Sequence, residues 1–472
     1  MSHDFEQLTI SFTEKSLQFL QPAGTSRGVY LERKVWYVEA YANYNGLPVY
    51  GIGECAPLPQ LSCDDVPNYV EILAEACRLW QTTQVFPREF LKTYPSILMG
   101  FETAQLSLHR CAETGNPFLL SSTPFALGKE GIPINGLVWM GNAEEMLERM
   151  KAKLAAGFRC VKIKIGAIDF EAELNLLSIL RQHYSPQQVE LRLDANGAFS
   201  PQEAIEKLRL LSAFNIHSIE QPIRAGQWIE MAELCRQSPI PIALDEELIG
   251  VHSKEEKERL LDTIKPQYII LKPSLHGGFS GAEEWEELAD ARGIAHWATS
   301  ALESNVGLNA IAHWTARRQQ EKAKTGKPLM PQGLGTGQLF ANNYDAISLD
   351  IKSDELWNGK EADRVFWQQL SDFSKKWNDE RLELLEFQTS GSTGKPKTIT
   401  LSKKAMRASA QRTLSTLDIK SESKALLCLP LHYVAGKMMA VRAFVGKLQL
   451  LTSTPSLHPF AQLKIAPQFV AL

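Results

Sequence analysis

An alternation of apolar and charged residues returns at nearly even intervals through the middle of the chain. In CVKIKIG (160–166), apolar residues alternate with Lys162 and Lys164, and the same period of two appears in VELRLDANG (189–197) and YIILKPS (268–274). A period of two places successive side chains on opposite faces of a β-strand. Glycine or proline follows closely each time, so each stretch predicts a short strand that ends in a turn.

These predicted strands recur at the spacing of strand-helix units. From Lys164, steps of 30, 26, 25 and 27 residues lead to one charged strand-end residue each: Asp194, Glu220, Asp245 and Lys272. This spacing is close to one repeat of a (β/α) barrel, whose active site lies at the C-terminal rim of the strands. We therefore predict a (β/α) barrel, with the charged residues pointing inward at that rim.

Residues 1–120 follow a different pattern. Three alternating stretches, LTISFTEKSLQFL, RKVWYVEAYAN and LPVYGIGE, predict antiparallel strands joined by turns that contain Gly and Asn. Apolar residues at helical spacing predict helices over 66–82 and 96–114. Together these elements predict an α+β capping domain, so the whole chain is assigned to the α/β class.

Composition and charge limit the classes of function. A length of 472 residues predicts two to four domains. The net charge of −4 and pI of about 6.3 provide no basic stripe for nucleic acid. We find no apolar signal sequence and no apolar run of the ~18 residues that a membrane span requires. Seven cysteines without a C-x-x-C motif are typical of reduced thiols, which predicts a cytoplasmic protein.

The charged strand ends predict a metal-dependent base reaction. Three carboxylates converging at a barrel mouth repel one another unless a cation lies between them, and oxygen ligands favour Mg²⁺ or Mn²⁺. A lysine becomes a base near neutral pH only when its pKa of ~10.4 is lowered by burial, a metal ion or a second ammonium, such as the neighbouring member of the Lys162–Lys164 pair. The set predicts metal-assisted removal of a proton next to a carboxylate. Each acid alone is more often a helix cap or part of a surface ion pair. The prediction therefore depends on all three acids recurring at the spacing of one strand-helix unit.

The K-x-K strand, the D-A-N, E-Q-P and D-E strand ends and the later L-K-P resemble the muconate-lactonising subgroup of the enolase superfamily. That resemblance implies that Lys164 abstracts the proton, that Lys272 is its counterpart across the substrate ring, and that Lys162 is an auxiliary lysine at the substrate. It implies Mg²⁺ ligation by Asp194, Glu220 and Asp245. It also implies a (β/α)7β TIM-like barrel over residues 121–375, with capping loops that close the barrel mouth.

Other stretches extend the resemblance. Segments 21–28 and 53–65 would be the capping loops, with ordinary hairpin turns as the alternative; GECAPLP in the second resembles the o-succinylbenzoate synthase and N-acylamino acid racemase branch. The stretch IAHWATSALESNVG resembles the strand-seven motif, which implies substrate contact through Ser300. Glu303 either lies near the rim or complements the dipole of the following helix. Segment 331–343 contains no acid, whereas dipeptide epimerases bind an α-ammonium there with an Asp-x-Asp pair.

The resemblance is strongest to the o-succinylbenzoate synthase family of menaquinone biosynthesis. It implies dehydration of a small-molecule carboxylate, 2-succinyl-6-hydroxy-2,4-cyclohexadiene-1-carboxylate. Lys164 would take the proton beside the carboxylate and then protonate the departing hydroxyl, while Lys272 would stabilise the enediolate. An N-acylamino acid racemase, or an enzyme that catalyses both reactions, remains open, and so does a non-catalytic barrel scaffold. The sequence leaves the oligomeric state open.

A third region begins near residue 381. LLEFQTSGSTGKPKTITLSKKAM is similar to the phosphate loop of adenylate-forming acyl-CoA ligases, and LLCLPLHYVAG follows in that family's order. This resemblance implies a partial adenylate-forming α/β segment over 381–472, with ATP phosphates at Gly391, Ser392, Thr393, Gly394 and Lys395. A flexible Ser/Gly linker is the alternative. Because the sequence stops before the family's later elements, we expect a truncated segment with a vestigial loop and no CoA-ligase activity.

Overall fold

The computed structural model describes most of the chain. The described residues are 5–25, 28–45, 47–139, 142–166, 168–324, 330–344, 347, 349–358, 361–388, 398–453, 455 and 467–470. Buried apolar side chains within them form a large cluster in the barrel, a second in the N-terminal region and a third in the C-terminal region.

The N-terminal region is an antiparallel sheet covered by helices. Its strands are β1 (Glu6–Thr25), β2 (Gly28–Tyr44) and β3 (Leu47–Cys55), in that order in the sheet, and its helices are α1 (Tyr69–Thr83), α2 (Arg88–Leu91) and α3 (Pro95–Thr114). Val38 and Ala40 face the helices, whereas Val35 and Tyr37 on the other face join the barrel core. Gly53 permits close packing of β3 on α3, because a Cβ there would lie 1.8 Å from the Gly100 carbonyl oxygen. The predicted strands are confirmed, and the helices begin within three residues of their predicted starts.

The barrel is built on a seven-stranded parallel sheet in chain order. Its strands are β5 (Gly136–Val138), β6 (Cys160–Lys164), β7 (Glu190–Asp194), β8 (Ile216–Glu220), β9 (Ile242–Leu244), β10 (Tyr268–Leu271) and β11 (Ala295–Ala298); β4 (Ile132–Pro133) precedes them. The helices between and after them are α4 (Ala143–Ala155), α5 (Phe170–His183), α6 (Pro201–Ser212), α7 (Trp228–Gln237), α8 (Lys254–Ile264), α9 (Gly278–Asp290) and α10 (Asn305–Ala323).

Residues 332 and 333 join the two edges of this sheet. The backbone N–H of Asn135, beside one edge strand, donates to the carbonyl of Gln332 at 2.9 Å. At the other edge, the N–H of Gly333 donates to the carbonyl of Ala298 at 2.8 Å. The chain then forms β12 (Leu349–Lys352) and β13 (Glu355–Asn358); β12 pairs antiparallel with β13, and β13 pairs antiparallel with β4. The eighth position of the predicted barrel is thus a pair of β-bridges.

The alternation of the barrel strands has the predicted orientation. Ile163 and Leu193 belong to the large cluster that includes the surrounding helices. Ile270 and Trp297, on the opposite strand face, form a separate buried cluster with Ala243. The apolar faces therefore pack outward against helices, and the other faces meet inside the sheet.

The C-terminal region combines a long helix, a hairpin and a small parallel sheet. Its elements are α11 (Glu361–Asn378), β14 (Leu384–Gln388), β15 (Thr398–Ser402), α12 (Lys403–Thr416), β16 (Lys424–Leu427), α13 (Val434–Gly446), β17 (Gln449–Thr452) and β18 (Phe469–Val470). Phe373 and Trp377 of α11 pack with Phe387 and Met439 in one buried cluster. The predicted domain boundary at residue 375 thus falls inside α11.

Within the described segments, none of the helices combines enough length with enough apolar character to cross a membrane.

Candidate active site

The charged residues singled out in the sequence lie at the ends of adjacent parallel strands. Strand register pairs Lys164 with Asp194 and Asp194 with Glu220, while Asp245 and Lys272 directly follow β9 and β10. The chain turns sharply after two of these ends, since Gly166 and Gly197 have φ of +88° and +73°, a region that favours glycine. Neighbouring strands therefore present the predicted residues to a common space.

Asp194, Glu220 and Asp245 come together in the barrel mouth. All three side chains are fully buried, and one carboxylate oxygen from each lies within 4.8 Å of the others. Gln221 helps to hold this arrangement, because its side-chain oxygen accepts hydrogen bonds from the backbone N–H groups of Asp245 at 3.1 Å and Glu247 at 3.3 Å. The sequence analysis noted the E-Q-P motif but assigned no role to its glutamine.

Three lysines balance the charge of the three carboxylates. Lys162 Nζ lies 2.7 Å from Glu220 Oε2 and 3.2 Å from Asp194 Oδ2. Lys164 Nζ lies 2.6 Å from Asp194 Oδ2, and Lys272 Nζ lies 2.5 Å from Asp245 Oδ2. A buried charge is costly unless it is paired, so this pairing explains how six ionisable groups share one interior.

The same contacts shift the pKa values of the groups. Burial raises the pKa of Glu220 to about 7, although Lys162 opposes the shift. Burial would also raise the pKa of Asp194, but Lys164 and Lys162 hold it well below its usual range. Burial lowers the pKa of Lys162 and Lys272, yet their carboxylate partners outweigh this effect and raise both values. These ion pairs thus favour the ammonium form of both lysines.

The carboxylates retain oxygens suited to a metal ion. Glu220 Oε1 and Asp245 Oδ1 are buried and have no hydrogen-bond partner among the residues that the structure describes. A buried unsatisfied oxygen costs about 1–3 kcal/mol, and more when it is charged. An oxygen-binding divalent cation would satisfy both atoms and belongs to the class that carboxylates prefer. The residues present therefore fit Mg²⁺.

A cavity of about 80 Å³ opens onto the lysines. Lys162, Lys164 and Lys272 line it. Leu58 and Leu61, from the predicted capping loop 53–65, also line it. The predicted loop 21–28 includes residues 26 and 27, which lie outside the described part of the chain, while its first five residues belong to β1. A larger cavity of about 660 Å³ between the capping sheet and the C-terminal region is lined by none of these lysines or carboxylates.

Ser300 also lines the small cavity, but its hydroxyl is already engaged. It donates to Glu303 Oε2 at 2.6 Å and accepts from the Thr336 hydroxyl at 2.8 Å and the Leu302 N–H at 3.1 Å. A hydroxyl has one proton to donate. In this arrangement Ser300 therefore shapes the cavity wall and has no further proton to donate to a substrate.

Two polar residues that the sequence analysis missed offer free atoms at the cavity. Thr299 Oγ1 and Asn135 Oδ1 are buried, and neither has a hydrogen-bond partner within the described segments. Both residues line the cavity. The sequence signal that could have indicated them was a polar residue directly beside the end of a predicted strand. Asn196, in the D-A-N motif, was also missed: its Oδ1 accepts from Lys164 Nζ at 2.7 Å, and its Nδ2 donates to Glu246 at 3.0 Å.

The two acids near the start of α10 have different partners. Glu54, from the capping sheet, accepts hydrogen bonds from the N–H groups of Ser304 at 2.8 Å and Gly307 at 2.7 Å. An acid in this position complements the helix dipole. Glu303, which the sequence left between a rim residue and a helix cap, instead accepts hydroxyl hydrogen bonds. Glu54 therefore complements the dipole of α10, whose N-cap is Ser304.

The predicted nucleotide-like loop falls beyond what the structure describes. Gly391, Ser392, Thr393, Gly394 and Lys395 all lie in the undescribed stretch 389–397, between the paired strands β14 and β15.

Comparisons with known proteins place this site in a family. Residues 145–334 match the family model described as "Enolase C-terminal domain-like". The o-succinylbenzoate synthase of Desulfotalea psychrophila is 46% identical over an alignment of 365 positions that covers 71% of this chain and 95% of that protein.

The crystal structure of MenC from the same organism superposes with a TM-score of 0.62 at 40% identity, covering 75% of this chain and all of that one. A more distant relative, the N-succinylamino acid racemase of Thermus thermophilus, is 27% identical over 218 residues, 42% of this chain and 56% of that protein. The chain belongs to the o-succinylbenzoate synthase family of the enolase superfamily.

Proposed function

We propose that the protein is a Mg²⁺-dependent dehydratase that converts 2-succinyl-6-hydroxy-2,4-cyclohexadiene-1-carboxylate into 2-succinylbenzoate and water in menaquinone biosynthesis. The relative that supports this reaction is 46% identical and matched over 95% of its length. The observation that carries the proposal is a set of three buried carboxylates beside three lysines at one cavity. Two of these carboxylates each keep an oxygen without a hydrogen-bond partner in the described part of the chain.

Asp194, Glu220 and Asp245 would hold the ion. When bound, Mg²⁺ supplies positive charge that lowers the free energy of an anion formed next to the substrate carboxylate.

Lys164 is proposed to take the proton from the carbon that bears the carboxylate. Its neutral Nζ accepts that proton, and the C–H electron pair first passes into the carboxylate to give an enediolate. That pair then forms the new ring double bond as the neighbouring C–O bond breaks. The same ammonium gives the proton to the departing hydroxyl, which leaves as water. Asn196 contacts Lys164 Nζ at 2.7 Å and so orients it. The ring gains a double bond and becomes aromatic, which makes the elimination favourable.

Lys272 is proposed to remain an ammonium throughout. Its pairing with Asp245 raises its pKa despite burial, which is the direction that a fixed positive charge requires. Such a charge stabilises the carboxylate as negative charge develops on it. Lys162, 6% exposed and paired with Glu220, would hold the acid cluster together behind the substrate.

The test is a direct assay of the purified full-length chain. We expect 2-succinylbenzoate to form from the cyclohexadiene acid in the presence of Mg²⁺, to stop after chelation with EDTA, and to resume when Mg²⁺ or Mn²⁺ is restored. Product would be identified by chromatography and mass spectrometry. Formation at an unchanged rate in EDTA would refute the metal-dependent proposal.

Racemisation of N-acylamino acids is the second candidate. It begins with the same removal of a proton beside a carboxylate, and the Thermus thermophilus relative carries that name. Incubation with N-succinyl amino acids in deuterated water, followed by NMR, would reveal it through exchange of the α-proton. A non-catalytic barrel scaffold would show neither reaction.

We further propose that residues 381–472 correspond to part of an adenylate-forming ligase. The parallel strands β16 and β17 with the intervening α13 support an α/β arrangement, and β14 and β15 flank the loop that carries Gly391 to Lys395. Pyrophosphate release from ATP and 2-succinylbenzoate tests for ligase chemistry.

The cytoplasmic location stays a prediction.

A further inference from the structure

A buried carboxylate behind the cavity wall connects two strand ends. Glu303 is fully buried. Its Oε1 accepts a hydrogen bond from the Ser274 hydroxyl at 2.5 Å, and its Oε2 accepts one from the Ser300 hydroxyl at 2.6 Å. Ser274 lies two residues after Lys272, and Ser300 lines the cavity. Each oxygen of Glu303 therefore contacts a different segment of the site.

The network continues into the last barrel loop. The Thr336 hydroxyl donates to Ser300 Oγ at 2.8 Å, and both residues line the cavity. Because the Ser300 proton goes to Glu303, its oxygen is free to accept from Thr336. The orientation of Thr336 thus depends on Glu303 through one intervening hydroxyl.

A buried arginine supplies positive charge and extends the network to the capping domain. Arg33 is 2% exposed, and its guanidinium donates to the carbonyl oxygens of Ala56 and Ala301. Burial lowers the pKa of Arg33, and Glu303 followed by Glu54 are the acids that oppose this shift. Ala56 belongs to the capping loop 53–65, so the charge that faces Glu303 also joins that loop to the strand-seven end.

The surroundings leave Glu303 little room to adopt another position. A Cβ at Gly307 would lie 2.7 Å from Glu303 Cβ, so the helix passes directly against this side chain. The N–H groups of Ser304 and Gly307 already donate to Glu54. The Glu303 carboxylate is therefore confined beside the two serines.

We propose that Glu303 is a positioning residue that places Lys272 through Ser274 and orders the substrate-facing wall through Ser300 and Thr336. Hydrogen bonds to an ionised carboxylate are about twice as strong as neutral ones, which suits a group that must fix two segments at once. The kinetic part of this inference rests on the proposed dehydratase function.

The principal test is Glu303→Gln in the full-length chain. Glutamine keeps the size of the side chain but replaces one acceptor oxygen with an NH₂ group, so one serine loses its acceptor. A misplacement of about 1 Å costs roughly 100-fold in rate, and we expect kcat/KM to fall by about 10- to 100-fold. Glu303→Asp, which keeps the charge on a shorter side chain, should recover part of this loss.

Single substitutions of the hydroxyl residues distinguish the effect of Glu303 on Lys272 from its effect on the cavity wall. Ser274→Ala should mainly lower kcat, because it disturbs Lys272, whereas Thr336→Val should mainly raise KM, because it disturbs the wall. Combining Glu303→Gln with Ser274→Ala, or with Ser300→Ala, should cost less than the product of the single losses in at least one of the two pairs, since the amide leaves one of these serines without its acceptor. Multiplicative losses in both pairs would overturn the proposal. If Glu303→Gln does not fold, equal effects of Ser274→Ala and Thr336→Val on kcat and KM would overturn it.

Hydrogen-deuterium exchange provides a readout that needs no activity. Glu303→Gln should speed exchange in peptides covering residues 272–276 and 300–304, while the peptide covering β7 should remain unchanged. Unchanged exchange in the first two peptides would overturn the proposal. If the exchange changes as expected but the wild-type protein does not dehydrate the substrate, the proposed function fails and the positioning role stands.

Discussion

The buried acids of the barrel mouth and those of the capping domain lie in equally dry surroundings but have different partners. Asp194, Glu220 and Asp245 face lysines, and two of them keep an oxygen without a hydrogen-bond partner among the described residues. Glu54 and Asp64 accept from the backbone N–H groups at the starts of helices, although Asp64 Oδ1 also lacks a hydrogen-bond partner among the described residues. Neither burial nor an unsatisfied oxygen by itself therefore marks a reactive site; an incompletely satisfied acid beside a buried lysine does so more specifically.

The largest expected effect is on kcat, when a lysine in the barrel mouth and a lysine on the protein surface are each replaced by alanine. Lys164→Ala removes the proposed base, and kcat should fall by at least about 10³-fold, within the range for loss of general base catalysis. Lys151→Ala, on the exposed surface of α4, is the matched control and should leave kcat unchanged. Steady-state assays of both variants, with circular dichroism to verify folding, provide the measurement. Full activity in Lys164→Ala would move the base to another residue.

The second largest effect is on Mg²⁺ affinity, which should respond to replacement of Asp245 in the barrel mouth but not to replacement of Asp64 in the capping domain. Asp245→Asn removes one proposed ligand charge and should weaken Mg²⁺ binding by about 10- to 100-fold, an expectation consistent with affinities set by ligand charge count. Asp64→Asn should leave Mg²⁺ affinity unchanged. Isothermal titration calorimetry measures both. Equal affinities in Asp245→Asn and the wild-type protein would remove Asp245 from the ligand set.

Asp64 of the capping domain should instead make the free energy of unfolding depend on pH. Burial raises the pKa of Asp64 to about 6 from its ordinary 3.8, although hydrogen bonds from Ser96 oppose the shift. The unfolded chain then loses this proton before the folded chain does. The free energy of unfolding should therefore fall by up to about 3 kcal/mol as the pH rises from below 4 to about 7, with no further change from this group above about pH 7.

Asp64→Asn isolates that effect. Asparagine retains an oxygen that can accept from the Ser96 N–H and hydroxyl but has no proton to lose. The difference in unfolding free energy between wild-type and variant proteins, measured by urea denaturation at pH 4, 5, 6 and 7, should change mainly below pH 6. A difference independent of pH would contradict the assignment.

The sequence was most informative where the contacts are local. Alternation in CVKIKIG and VELRLDANG predicted both the strands and the face that carries the charges, because a strand's period of two depends only on neighbouring residues. The spacing of Asp194, Glu220 and Asp245 predicted their convergence, because strands of similar length in a parallel sheet end at one edge.

The contacts that the sequence did not predict join distant residues. Glu54 accepts from Ser304, 250 positions later, and Thr336 donates to Ser300 across the final loop. No periodic pattern indicates which hydroxyl donates to which carboxylate. For the same reason, the sequence predicts Ser300 as a substrate contact but does not indicate that its proton goes to Glu303. Side-chain pairing of this kind depends on the packing of the whole fold.

The most direct test of the central claim is an experimental structure of the protein with Mg²⁺ and 2-succinylbenzoate bound. We predict one ion bound by Asp194, Glu220 and Asp245, with Lys164 and Lys272 on opposite sides of the product ring. An ion held by other residues, or both lysines turned away from the product, would contradict the account.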